Sequence, residues 1–297
     1  MGSRYYPWQF GEVHYVKRGL GDPLLLVHNV YPGASHEEFE HNLDALARCR
    51  TVYAIDLLGF GASDAPRMKY TASTYVRLIS DFVADEIGAA GAGSRPADVV
   101  SAGLSCAYVS EAAVWRPDLF GRLAFVCPRS EPTGLDMPRW VAAIQHLFLT
   151  TPPLGNGYYE TLAGDHELTT YLRNCFHNPD KHVTPAKVQR LVEHARRKGT
   201  IYPYASLVTG YLDRSLLATL PKVDKPVLLV WGRQARPTPV EHSVRLVALG
   251  RHTRLEVVED AGSWVHDEQS AKVNKLLVDY LTAENVFPAR RDGAVSA

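Results

Sequence analysis

Ser105 is the residue on which nucleophilic chemistry would turn. It lies in Ala97-Asp98-Val99-Val100-Ser101-Ala102-Gly103-Leu104-Ser105-Cys106-Ala107-Tyr108, which reads as a short apolar strand, a sharp turn and the start of a helix. Gly103 and Ala107 flank the serine at two residues' distance on either side. Small side chains suit such a corner because strand and helix backbones pass close together there. A serine so presented attacks an acyl carbon when helpers converge on it: an imidazole to take its proton, a carboxylate to orient the imidazole, and two N–H donors for the oxyanion. A second polar stretch is His28-Asn29-Val30-Tyr31-Pro32-Gly33, where the Asn29 amide offers such a site a hydrogen-bonding group. Asn29 as a turn residue tolerating unusual backbone is the competing reading.

The elements that must position these residues alternate between strand and helix patterns from about Trp8 to Cys127, the βαβ signature of a mostly parallel sheet. Phe10–Val16 alternates and is expected as an antiparallel edge strand. Apolar residues at Tyr75, Leu78, Ile79, Phe82 and Val83 predict a helix from Thr71 through Ile87. Gly88–Arg95 reads as a loop and Ala294–Ala297 as a loose tail.

Taken together, the motifs resemble the α/β-hydrolase family. Ser105 matches the nucleophile elbow G-x-S-x-G, with Ala107 for the last glycine. Pro23–His28 resembles the family's third strand, which normally ends in His-Gly. Thr51–Asp64 is similar to its fourth strand and D-x-x-G-x-G-x-S-D loop, and Arg122–Pro128 to the strand after the elbow helix. Lys225–Gly232 and Arg254–Gly262 resemble the strands that lead to the acid and the base. The resemblance implies an α/β-hydrolase fold, a mostly parallel sheet flanked by helices. Residues 1–128 and 214–297 would form the core, and 129–213 a helical lid.

The resemblance also implies where helpers should stand, and there the chain departs from it. The family's Trp-Gly-x-x-Asp is here Trp231-Gly232-Arg233-Gln234-Ala235, so Ala235 fills the acid's slot. Its Ala-Gly-His is here Ala261-Gly262-Ser263-Trp264-Val265-His266, so Ser263 fills the base's slot. A hydroxyl is no general base at neutral pH. His266, three residues on, serves Ser105 only if that loop is remodelled, and is otherwise structural. Glu131 is an alternative acid or a solvated loop carboxylate. His28 is a third catalytic candidate, with a structural role competing, and Asp56 and Asp64 read as structural. Asp267 and Glu268 read as acids at a helix N-terminus. The resemblance implies that the Cys106 N–H is one oxyanion donor and that the other comes from Asn29 or Val30 in the loop after the third strand. Tyr31, Ser263, Trp264 and Trp140 join these as candidate substrate contacts.

Composition narrows the partners. The 297 residues carry 32 basic and 32 acidic side chains and are 46% apolar, which favours neither nucleic acid nor an anionic surface. No run approaches a membrane span, no secretory leader is apparent, and four scattered cysteines suit a reduced compartment. The expectation is a cytoplasmic protein with no cofactor and no metal, monomeric or a homodimer, taking a hydrophobic small molecule. Nine aromatics between Trp140 and Tyr211 predict a lid packed on the core, with a share of them lining a large pocket. Three readings stay open: non-hydrolytic chemistry such as cyclisation, elimination or isomerisation; an esterase, lactonase or thioesterase with a relocated base; and a binding or scaffold protein without turnover.

Overall fold

A computed structural model describes residues 3–88, 95–131, 138–152 and 154–283. Most of the Gly88–Arg95 loop and the Ala294–Ala297 tail lie outside the described residues. Eight strands form one sheet in the order β1-β2-β4-β3-β5-β6-β7-β8. They are β1 (Ser3–Trp8), β2 (Gly11–Arg18), β3 (Pro23–Val27), β4 (Thr51–Ile55), β5 (Ala97–Ala102), β6 (Phe120–Val126), β7 (Val227–Gly232) and β8 (Thr253–Val258). The β1–β2 and β2–β4 pairs are antiparallel, and every other pairing is parallel. The expected strand near Phe10–Val16 exists, but it is not the edge. β1 lies outside it, with Pro7 opposite Glu12, a place where a residue lacking an N–H is tolerated.

The central strands are buried along most of their length because both faces are covered. All six residues of β5 and of β7 are buried, as parallel strands between helical layers require. In the core, α1 (Glu40–Leu46) packs with the later α12 (Val265–Glu268) and α13 (Ser270–Thr282), and α2 (Ala72–Phe82) packs with α3 (Ser105–Trp115). Thr71 and Thr74 form a reciprocal cap on α2. The helix runs on through a wider turn, Val83–Ile87, to the end that the apolar spacing predicts.

Between β6 and β7 the described chain is helical: α4 (Arg139–Thr150), α5 (Leu154–Leu162), α6 (Asp165–Cys175), α7 (Pro179–His182), α8 (Pro185–Ala195), α9 (Ile201–Val208) and α10 (Leu216–Thr219). One more helix, α11 (His242–Leu249), separates β7 from β8. None of the described helices is long and apolar enough to cross a membrane.

Candidate active site

The strand ends of β3, β5, β6 and β7 open on a cavity of about 200 Å³. Asn29, Val30, Tyr31 and Glu38 line it from the β3 side, and Gly103 and Leu104 from the end of β5. Cys127 and Arg129 follow β6, Thr238 follows β7, Ser263 and Trp264 follow β8, and Tyr171 and Cys175 come from α6. A groove of about 880 Å³ is larger, but it lies elsewhere, along Arg67, Tyr159 and Arg196–Tyr202.

The corner between β5 and α3 falls on Gly103, not on Ser105. Gly103 has φ +55, and Ser105 is not among the left-handed residues. The neighbouring N–H groups say the same. Leu104 N donates to Asn29 Oδ1 at 2.9 Å, and Val30 N donates to the same oxygen at 2.8 Å. In this architecture the oxyanion hole is the N–H of the residue after the nucleophile plus one from the loop after the third strand. Those two donors are Leu104 and Val30, so the residue at the nucleophile's place is Gly103. Ser101 and Ser105 then take the flanking small positions. The sequence-based register is therefore two residues late.

The hole itself is filled from within. An ideal Cβ on Gly103 would meet Asn29 Oδ1 at 2.1 Å, so the Asn29 amide occupies the space that a nucleophilic side chain would need.

The other expected residues separate into those the fold brings to the cavity and those it does not. Ser105 is fully buried, does not line the cavity, and donates its hydroxyl to the His28 carbonyl at 2.6 Å. Cys106 is also buried away from the lining, so the donor expected of it belongs to Leu104. Trp140 is 68% exposed on α4 and absent from the lining. Of the lid aromatics, Tyr171 lines the cavity, while Phe148 and Tyr158 face outward with Trp140. The cavity is accordingly smaller than the large aromatic pocket expected of the lid. Asn29, Val30, Tyr31, Ser263 and Trp264 do line it. Tyr31 packs against Tyr171 and Trp264, with ring centroids 5.2 and 5.6 Å apart.

His28 has both ring nitrogens engaged. Leu57 N donates to Nε2 at 3.0 Å, so Nδ1 carries the proton and donates to the Asn29 carbonyl at 2.6 Å. Burial lowers its pKa to about 4, which keeps the ring neutral. Glu131 is exposed and paired with Arg245. Ala235 is buried in the turn after β7, and the Ser263 hydroxyl lies 3.5 Å from Thr238 Oγ1. Asp267 and Glu268 both fall in the first turn of the four-residue α12, as expected. Glu268 also accepts the N–H groups of His177, Asn178 and Gly262 at 3.0, 2.6 and 2.8 Å. Asp267 pairs with Lys187, at 2.5 Å.

Sequence reasoning missed Glu38, which sits in the short 3-10 turn His36–Phe39. Its Oε2 accepts the Asn29 N–H at 2.9 Å, its Oε1 lies 3.5 Å from His266 Nε2, and its side chain is 1% exposed. Burial raises its pKa to about 8 against the Asn29 N–H and the Tyr31 hydroxyl, with the charge of Asp267 adding to the rise. His266 is equally buried. Burial lowers it to about 4, and neither of its ring nitrogens has a hydrogen-bond partner in good geometry. Burial thus pushes both side chains toward their neutral forms where they face one another.

Nor did spacing reveal a second polar cluster. His14, His36 and Asp56 meet closely enough to share a cation. Their atoms are already committed: Asp56 Oδ2 to His14 Nδ1 at 2.8 Å and Oδ1 to His36 Nδ1 at 2.9 Å. The cluster holds the loop after β4 and does not line the cavity, as the structural reading of Asp56 expects.

Comparison with known proteins places this arrangement. A sequence 24% identical over 91% of this chain and 92% of its own length is a 2-hydroxy-6-oxononadienedioate/2-hydroxy-6-oxononatrienedioate hydrolase from a Pseudomonas species. Another, from Comamonas testosteroni, is a 2-hydroxy-6-oxo-6-phenylhexa-2,4-dienoate hydrolase, 23% identical over 91% of each chain. Among solved structures, a serine hydrolase of carbazole degradation superposes with a TM-score of 0.76 at 19% identity, covering 95% of this chain and 98% of its own. An epoxide hydrolase, CorEH, superposes with a TM-score of 0.75 at 21% identity, covering 94% and 98%. The model of the alpha/beta hydrolase family matches residues 24–276, and the chain belongs to that family.

Proposed function

We propose that this protein is an α/β-hydrolase-fold enzyme that acts on a hydrophobic, carbonyl-bearing small molecule by non-hydrolytic proton chemistry, an isomerisation, cyclisation or elimination. The observation that carries the reading is the corner of β5. Gly103 stands where a nucleophile would, and the Asn29 amide oxygen accepts both N–H groups that would otherwise hold an oxyanion. Ala235 and Ser263, in the slots of the acid and the base, agree with it. Losing one triad member costs about 10⁴ to 10⁶ in rate, and here nucleophile, acid, base and hole are all altered. The ring contacts of Tyr31, Tyr171 and Trp264 suit a flat apolar ligand. The names of the relatives describe conjugated keto-acids, which supports an enolisable carbonyl compound as the substrate class.

The relocated-base reading loses its support, because the Ser105 hydroxyl is hydrogen-bonded to a carbonyl and His266 faces Glu38. The test is direct. The purified protein is expected to leave p-nitrophenyl acetate and 2-hydroxy-6-oxo-6-phenylhexa-2,4-dienoate unhydrolysed, and to resist labelling by a fluorophosphonate. A covalent adduct on Ser105, or hydrolysis abolished by Ser105→Ala, overturns the reading.

A further inference from the structure

Glu38 is the one carboxyl among the described residues that line the cavity. Its surroundings are set by several elements. Tyr31 reaches it from the loop after β3, Tyr171 and Cys175 of α6 face it across the cavity, and His266 and Asp267 come from α12. Lys187 of α8 neutralises Asp267 and sits over the Phe176 and Trp264 rings, 5.0 and 5.8 Å from their centroids. Among the described residues no lysine or arginine pairs with Glu38. One oxygen is anchored by the Asn29 N–H, and the other faces a neutral imidazole. A buried carboxyl so placed exchanges its proton near neutral pH, the condition that general acid–base work favours.

We propose that Glu38 is the proton-transfer residue of this cavity, shuttling a proton between two carbons of an enolisable carbonyl compound. The inference rests on the non-hydrolytic reading above. In its carboxylate form Glu38 takes the proton α to the carbonyl. The C–H electron pair moves into the new carbon–carbon double bond, and charge collects on the carbonyl oxygen. The resulting acid then returns the same proton at the α or the vinylogous γ carbon, and the oxygen's charge flows back as the carbonyl reforms. Nothing is oxidised, and no atom is gained or lost.

Acetophenone in D₂O, followed by NMR, probes the first half of this cycle as exchange of its methyl protons, and it offers no bond to hydrolyse. The wild-type protein is expected to accelerate exchange, with the rate rising as pH increases toward the Glu38 midpoint. Glu38→Gln, which keeps the side chain's shape and an oxygen for the Asn29 N–H, is expected to lower the rate by about 10²- to 10⁴-fold. In parallel, the infrared difference spectrum of the wild type at neutral pH should contain a protonated-carboxyl band that Glu38→Gln lacks. Absence of exchange by the wild type, an equal rate in a folded Glu38→Gln protein, or loss of no such band overturns the assignment. None of these results bears on ester hydrolysis, so this proposal and the non-hydrolytic reading fail separately.

Discussion

Two buried carboxyl groups, one between β3 and β4 and one directly after β4, meet opposite fates. Asp56 and Glu38 are both shut off from solvent. Asp56 accepts four hydrogen bonds, from His14 Nδ1, His36 N, His36 Nδ1 and Ala62 N. Burial alone would raise its pKa, but those bonds and the positive charge drawn to His36 pull it well below the usual carboxylate range. Glu38 has the Asn29 N–H, the Tyr31 hydroxyl and a neutral neighbour, and burial wins. The fold thus uses one carboxylate as a fixed anion that ties three chain segments together. Burial pushes the other toward its protonated form. Depth of burial does not distinguish them; the number and charge of their donors does.

Breaking the Asp56 cluster should have the largest effect. Asp56→Ala strands two imidazoles and two backbone N–H groups, and is expected to cost about 3–5 kcal/mol of stability in urea unfolding. An effect below about 1 kcal/mol would mean that water replaces the carboxylate readily. A step smaller is the corner of β5. Gly103→Ser places its Cβ on the Asn29 amide and should cost about 1–3 kcal/mol, whereas Gly103→Ser with Asn29→Gly should cost clearly less than the sum of the two single changes. Additive costs would show that the amide does not occupy that space.

The pH dependence of stability sharpens the contrast at the smallest scale. Glu38 keeps its proton to about 8 when folded, against an ordinary 4.5, so the native state binds the extra proton and stability falls as pH rises between those values. His266 and His28, each lowered to about 4 from 6.5, contribute the opposite slope between 4 and 6.5. In that range the two histidines together outweigh the single Glu38 slope. Above pH 6.5 the loss from Glu38 remains, joined by His36, which Asp56 holds above its usual value in spite of burial. Between pH 6.5 and 8 the wild type is therefore expected to lose about 1–2 kcal/mol that Glu38→Gln retains. Parallel profiles for the two proteins would place Glu38 on the ionised side with Asp56.

β3, β4 and β7 could be read from the chain as largely apolar runs closed by a turn signal, and β5, β6 and β8 because the order of the segments repeats that of a known architecture. β1 could not. Ser3–Trp8 carries a proline and no clean alternation, and only its pairing with β2 makes it a strand. The corner of β5 was misplaced for a related reason. Ser101-Ala102-Gly103-Leu104-Ser105-Cys106-Ala107 offers small residues at every second position, so a search for a serine between two of them finds Ser105. The better signal was conformational: the corner needs a left-handed residue, and Gly103 alone in that stretch adopts one without strain. Ala235 and Ser263 are read from spacing alone, as occupants of slots in a motif. Glu38 had no spacing to betray it. Its neighbours Glu37 and Glu40 are partly exposed, and only the folded loop turns Glu38 inward.

The Asn29 amide makes the site its own competitive inhibitor. Its oxygen is tethered beside the two N–H groups it occupies, and a tethered group competes at an effective concentration far above that of any free metabolite. A ligand whose only asset is an anionic or carbonyl oxygen must displace it and gains little. One that also contacts Tyr31, Trp264 or Glu38 need not displace it at all. Under the non-hydrolytic reading proposed above, ester cleavage would demand coordinated change at Asn29, Gly103, Ala235 and Ser263.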